Sequence, residues 1–167
     1  MPSGSCDRGQ TAFDFLVGMT VFLVSITFVF GFVPGMFQPF ETDTGPDMVA
    51  AVRGAAFLTE SALVDDVDSP GVLNESCAAE FFDGDGATGG CNFEVDATNL
   101  NDALAIDDSD GANVTIEDAA GITTVQGDGG PVAASAGRDP PSTANVVVAT
   151  RVVLLDGDRR TLYVRVW

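Results

Sequence analysis

Histidine and lysine are both absent from this chain. Without an imidazole, neither a Ser-His-Asp nor a Cys-His catalytic arrangement is available, and zinc loses one of its two commonest ligands. Cysteine is scarce, at three residues, Cys6, Cys77 and Cys91, and none of them forms a Cys-x-x-Cys pair. No phosphate-binding loop or dinucleotide fingerprint occurs. Adjacent acids such as Asp65 and Asp66 sit in a crowd of carboxylates, so no glycosidase-like pair stands out. The sequence therefore predicts no catalytic residue, no metal site and no cofactor, and an enzyme is the least favoured reading.

Positive charge is scarce too. Seven arginines face 25 acidic residues, for a net charge of −18. Such a chain repels phosphate backbones, which excludes nucleic acid as a partner. It also lacks the basic patch that docks proteins on anionic lipid. Acidic excess often accompanies disorder, but 46% of these residues are apolar. A folded domain with a carboxylate-covered surface fits better. One-sided charge keeps a protein soluble and costs self-repulsion, which molar salt screens within roughly 3 Å. Abundant Asp with no Lys points to a halophilic protein.

What the chain does have is one long apolar run. Between Asp14 and Glu41 lie 26 residues without a charge. As a helix they span about 39 Å at roughly 1.5 Å per residue, more than the ~20 residues a bilayer core requires. A buried core helix would need a large domain around it, and the acidic, glycine-rich remainder is a poor one. The run is too long for a secretory signal core and lacks an A-x-A-like cleavage site. Pro34 and Gly35 mark a kink or the helix end. Gly31 and Gly35 have the spacing of a close helix contact, interrupted by Pro34. Arg8 precedes the run, whereas Glu41, Asp43 and Asp47 follow it. The positive-inside rule then puts the N-terminus in the cytoplasm and the acidic domain outside.

The residues before the run carry a motif: Arg8-Gly9-Gln10-Thr11-Ala12-Phe13-Asp14-Phe15-Leu16. A short polar leader ends in Gly, and an acid follows four positions after Gln10. This resembles the class III signal peptide of archaeal type IV pilins and pilin-like proteins. The wider stretch from Arg8 to Phe40 is similar to the N-termini of haloarchaeal pilin-like membrane proteins, and the C-terminal RVVLLDGDRRTLYVRVW is similar as well. The resemblance implies cleavage between Gly9 and Gln10 by a membrane prepilin peptidase on the cytoplasmic side. Asp14 then becomes the fifth mature residue, where the family favours Glu. The family leader is usually richer in basic residues than MPSGSCDRG. An acid inside a bilayer is costly and functional by default, and the implied role is pairing with the free amine of a neighbouring subunit. The competing account makes Asp14 a helix-start residue, with Thr11 and Asp14 in an S/T-x-x-D capping pattern.

Cleavage at Gly9 removes Cys6 and leaves Cys77 and Cys91 as an even pair outside the cell, where disulfides persist. Metal binding is the rival reading of this pair, and lipidation of an uncleaved Cys6 remains open. Two sequons, Asn74-Glu75-Ser76 and Asn113-Val114-Thr115, make Asn74 and Asn113 candidates for glycosylation.

The expected fold is α+β. Residues 1–9 form a cytoplasmic leader, 10–40 a transmembrane and assembly helix, and 41–167 an acidic extracellular domain. In that domain an amphipathic helix starts at Pro46, capped by Thr44 or Gly45. It extends to about residue 64, with Met48, Val49, Val52, Ala55, Ala56, Phe57 and Leu63 as its periodic apolar set. A short helix spans 74–82. Residues 83–90 form a solvated loop that resembles half a calcium loop but lacks the closing Glu. Residues 113–117 and 122–125 read as strands, and 127–141 as a Gly/Pro/Ala-rich loop. The antiparallel strands end in a C-terminal hairpin: Val146–Leu155, a turn at Asp156-Gly157-Asp158, and Thr161–Trp167. Leu162, Val164 and Val166 face one side, Tyr163, Arg165 and Trp167 the other, and the hairpin packs on the helix after the anchor.

These observations imply a pilin-like subunit whose partners are membrane lipid, a prepilin peptidase and other subunits. The alternatives are a single-pass envelope protein that never polymerises, or a minor accessory component. The charge balance generates the first prediction. The chain in detergent is expected to lose its folded signal as salt falls from molar to millimolar concentration. Circular dichroism across a salt titration checks this, and full structure in dilute buffer contradicts it.

Overall fold

A computed structural model of the chain describes residues 7–37, 44–85 and 90–167. Cys6, residues 38–40 of the expected anchor and residues 86–89 of the expected acidic loop lie outside them. The chain divides into two units, Met1–Thr42 and Asp43–Trp167.

The first unit is helix α1, Asp7–Phe37. It runs through Pro34 and Gly35, so proline does not end it. Loss of one backbone donor there leaves the rest of the ladder intact. Its segment Ala12–Val33 is long and apolar enough to cross a membrane, and its side chains are exposed.

The second unit is α+β. Helix α2, Thr44–Phe57, continues into a π-helical turn, Leu58–Ala62. The wider turn has a use: Leu63 N–H donates to Leu58 at 3.1 Å, and the Thr59 carbonyl accepts from Gly71 at 2.7 Å. Strand β1 (Val72–Leu73) follows, then helix α3 (Glu75–Asp83). A short 3-10 turn, Ala97–Asn99, leads into helix α4, Leu100–Leu104, which the sequence pattern does not reveal. The remaining strands are β2 (Ala112–Asp118), β3 (Gly121–Ile122), β4 (Thr124–Gly127), β5 (Gly130–Ala133), β6 (Ser135–Gly137), β7 (Val147–Leu155) and β8 (Asp158–Val166).

The main sheet has the order β1-β7-β8-β2-β3, with β6 also on β2. All pairs are antiparallel except β1 with β7. Strands β4 and β5 form a separate hairpin that packs on α3. Asp156 and Gly157 both have positive φ, 53° and 77°. That is the two-residue turn whose twist matches flanking strands, and it sets Leu155 opposite Asp158.

The core lies between the sheet and the helices. Leu162, Val164 and Val166 are fully buried, as their alternation predicts, and β7 and β8 pack on α2. Phe81 meets Phe82 and Phe93 edge-on, with ring centroids 5.2 and 5.4 Å apart. Three sequence expectations are corrected here. Of the expected apolar set Ala55 and Leu63 are fully buried, but the inward face of α2 carries Ala51 and Ala55 and leads into Leu58, while Met48, Val49 and Val52 are exposed. Small alanines let the helix approach the sheet closely, whereas the periodic pattern favoured the bulkier residues. The second correction concerns 127–141, expected as a loop. It contains the end of β4 and all of β5 and β6. Its small residues serve close approach: a Cβ on Gly137 would collide with the Ala112 carbonyl. The expected strand 122–125 is split at Thr123, where the chain passes from one sheet to the other. Thr123 donates to Ile116 and accepts from Ala134.

Gly111 pairs with Trp167 through N–H···O bonds of 2.7 and 3.0 Å. The indole lies where a Cβ on Gly111 would stand. Gly111→Ala should therefore displace the ring and cost about 1–3 kcal/mol, as overpacking does. Fluorescence of Trp167, the chain's single tryptophan, during denaturant unfolding reports both the displacement and the lowered midpoint. An unchanged midpoint would contradict this packing.

Candidate functional site

Two features stand out: the apolar helix, and the outer face of the sheet. Helix α1 begins at Asp7, so Gly9 and Gln10 lie in its first turns and Asp14 lies beyond them. Thr11 therefore lies inside the helix of the uncleaved chain and is no N-cap there. The Asp14 side chain is exposed on the helix. Every hydroxyl between Ala12 and Val33 is satisfied within the helix. Thr20 donates to Leu16 at 2.7 Å, Ser25 to Val21 at 2.8 Å and Thr27 to Leu23 at 2.8 Å. This is how a polar side chain is accommodated where water is absent.

The sheet's outer face is built by alternation. Residues whose side chains point away from α2 are Val148, Thr150, Val152 and Leu154 on β7. Arg159, Thr161, Tyr163 and Arg165 share that side on β8, by the register Thr150↔Tyr163 and Val148↔Arg165, and Trp167 follows the strand. On β2 the same side carries Asn113, Thr115 and Glu117. Arg165 joins them. One of its terminal nitrogens donates to Asn113 Oδ1 at 3.0 Å and to Thr115 Oγ1 at 2.8 Å, and the other donates to Glu117 Oε1 at 3.0 Å. Its guanidinium also lies over the Tyr163 ring, 4.9 Å from the centroid. Thr115 donates to the same Glu117 oxygen at 2.6 Å. The Thr115 hydroxyl, and then Arg165, hold the Glu117 carboxyl below its ordinary value against a raising effect of burial. The signal in the sequence was the alternation Tyr163-Val-Arg165-Val-Trp167, which assigns a face but not the partners across it.

The sequon residues are placed differently. Asn74 caps α3, its side chain accepting from Cys77 N–H at 3.1 Å and donating to Asp65 at 2.9 Å. It is half-buried, and an amide carrying a sugar keeps one N–H for that bond. Asn113 is 2% exposed, and its amide nitrogen donates to the Ala136 carbonyl at 3.1 Å. The folded domain has no room for a glycan there, so this candidate is withdrawn: the sequon falls on a central strand. Cys77 and Cys91 form a disulfide, with Cα atoms 5.6 Å apart, tying α3 to the segment before α4. Of the expected acidic loop, Asp83 accepts from Asp85 N–H at 2.9 Å. Among the described residues no three acidic or thiol side chains converge as a metal cluster.

Residues 6–167 match a family of unknown function, DUF7287, and the chain belongs to that family. No curated protein and no solved structure matches it.

The Glu117 environment yields a pH prediction. A carboxyl held below its ordinary value stabilises the fold above the unfolded value, and that contribution disappears as pH falls through the lower folded value. Glu117→Gln should cost about 1 kcal/mol at neutral pH, a charged hydrogen bond discounted for partial exposure. It should also flatten the loss of stability in acid. Denaturant midpoints for both proteins at neutral and acidic pH measure this, and parallel curves would rule out the linkage.

Proposed function

We propose that this member of a family of unknown function is a pilin-like structural subunit of a cell-surface filament. Its apolar helix anchors the precursor with the N-terminus in the cytoplasm. A prepilin peptidase cleaves between Gly9 and Gln10, and the freed helix packs with those of other subunits. The acidic domain faces the outside medium at high salt and has no catalytic role.

The observation that carries this reading is helix α1 itself. One exposed, continuous helix holds an apolar window from Ala12 to Val33, the Gly9-Gln10 pair before it and a carboxylate at Asp14. A simple anchor has no use for Asp14, because a carboxylate costs at least about 2.5 kcal/mol at the bilayer centre. The cost is smaller near the edge, and a neighbouring amine offsets it. In-helix satisfaction of Thr20, Ser25 and Thr27 suits a helix surrounded by lipid or by other helices.

Peptide mapping of the native protein tests the processing step: a mature start at Gln10 is expected, and an intact start at Met1 or Pro2 removes the main support. Asp14→Ala separates assembly from anchoring. It should leave cleavage and membrane level unchanged while lowering the protein in sheared filaments about tenfold. That is the effect of losing one charge-assisted bond of roughly 1.5 kcal/mol. Unchanged filament yield sinks the pairing. Protein that starts at Gln10 yet never enters filaments would instead favour a minor accessory component.

A further inference from the structure

Helix α2 buries one side and leaves the other bare. Met48, Val49 and Val52 are 57%, 64% and 44% exposed, whereas Ala51, Gly54 and Ala55 are buried. Positions 48, 49 and 52 share one helix face by their spacing. No acidic residue occurs between Asp47 and Glu60, on a chain that has 25 acids. The single cation of this stretch, Arg53, donates to the Ala105 carbonyl and marks the border with α4. Helix α4 carries the exposed carboxylate of Asp102. An exposed apolar patch with a polar border marks a surface that something else covers.

We infer that this face of α2 docks on the surface of the membrane that holds α1. The inference rests on the membrane-anchor part of the subunit reading. The covalent connection selects the occupant. Six residues, 38–43, join α1 to α2, and a chain of that length reaches at most about 25 Å whatever its path. The apolar window ends at Val33, four residues before α1 does. A bilayer crossed by α1 is therefore within reach of α2 on every molecule, at an effective concentration on the order of millimolar. A partner free in solution has no such advantage. The chemistry agrees with the connection. Helices at a lipid surface bury apolar side chains about 5–10 Å into the headgroup boundary, and Met48, Val49 and Val52 supply such side chains. The stretch from Met48 to Thr59 brings no carboxylate to repel a lipid phosphate. The attraction is apolar rather than cationic, so salt favours it. Screening removes the repulsion between bordering acids and phosphates and leaves the burial intact.

The test uses the full chain in phosphatidylcholine nanodiscs at molar salt, with Cys6→Ser as background. Val49→Cys carries an environment-sensitive fluorophore. Lipid with a nitroxide near the top of its acyl chain should quench this label at least about twofold, because the label then sits at that depth. Val152→Cys, also 64% exposed but on the outer face of the sheet, should stay unquenched. Val24→Cys, inside the apolar window, should be quenched by a nitroxide deep in the acyl chain. Adding Val52→Asp should abolish quenching at position 49 and leave far-ultraviolet circular dichroism unchanged, since Val52 is exposed. Quenching at position 24 without quenching at position 49 overturns the docking face and leaves the anchor standing. No quenching at position 24 overturns the anchor as well. A label at position 49 that is shielded from aqueous iodide yet unquenched by lipid overturns the proposal in favour of a second protein surface. Equal quenching at positions 49 and 152, or quenching that survives Val52→Asp, overturns it as unspecific.

Discussion

The constraint on which everything else depends is solvent. Ala12–Val33 is a 22-residue, predominantly apolar window on one helix, while the folded α+β unit carries nearly all of the chain's 25 acids. No single medium suits both. At about 0.8 kcal/mol per CH2 exposed to water, such a helix cannot stand bare in solution. It must be covered by lipid, by other helices, or by each in turn. That requirement constrains every role the helix can have.

The sheet shows how the second unit uses the few cations it has. Strand β8 is central, between β7 and β2. One side buries Leu162, Val164 and Val166 against the helices. The other carries the ladder of Arg165 with Asn113, Thr115 and Glu117. A buried Asn or Thr on a strand is costly unless its polar atoms are satisfied, and one guanidinium satisfies three of them at once. Its planar fork suits this role, where a lysine would reach fewer partners.

Much of this was legible in the sequence, and the reasons differ by element. Helix α1 is readable because its apolar run is longer than any interruption. The hairpin β7–β8 is readable because strict alternation and an Asp-Gly turn agree. Helix α3 announces itself through Asn74, an N-cap whose bond to Cys77 the structure contains, and Cys77 with Cys91 is the one pairing left after Cys6. The buried face of α2 was not readable, because Met48, Val49 and Val52 outweigh the alanines in any periodicity. Strands β5 and β6 were hidden because their Gly, Pro and Ala have low strand propensity; tertiary pairing imposes the conformation. The burial of Asn113 and the reach of Arg165 depend on which strands lie side by side, and no local pattern contains that.

Salt sets how closely two such acidic chains can approach. At low ionic strength two copies with net charge −18 repel over roughly 30 Å at 0.01 M, well before short-range contacts act. Near 1 M that range falls to about 3 Å, so copies can approach until side chains touch. Contacts between exposed groups weaken over the same interval, which leaves two kinds of interaction: apolar burial, and charge pairs shielded from solvent. The apolar helix provides the first kind. On the second unit, Val148, Val152 and Leu154 are exposed apolar side chains on one face of the sheet. In such salt only contacts that are close and complementary survive the screening.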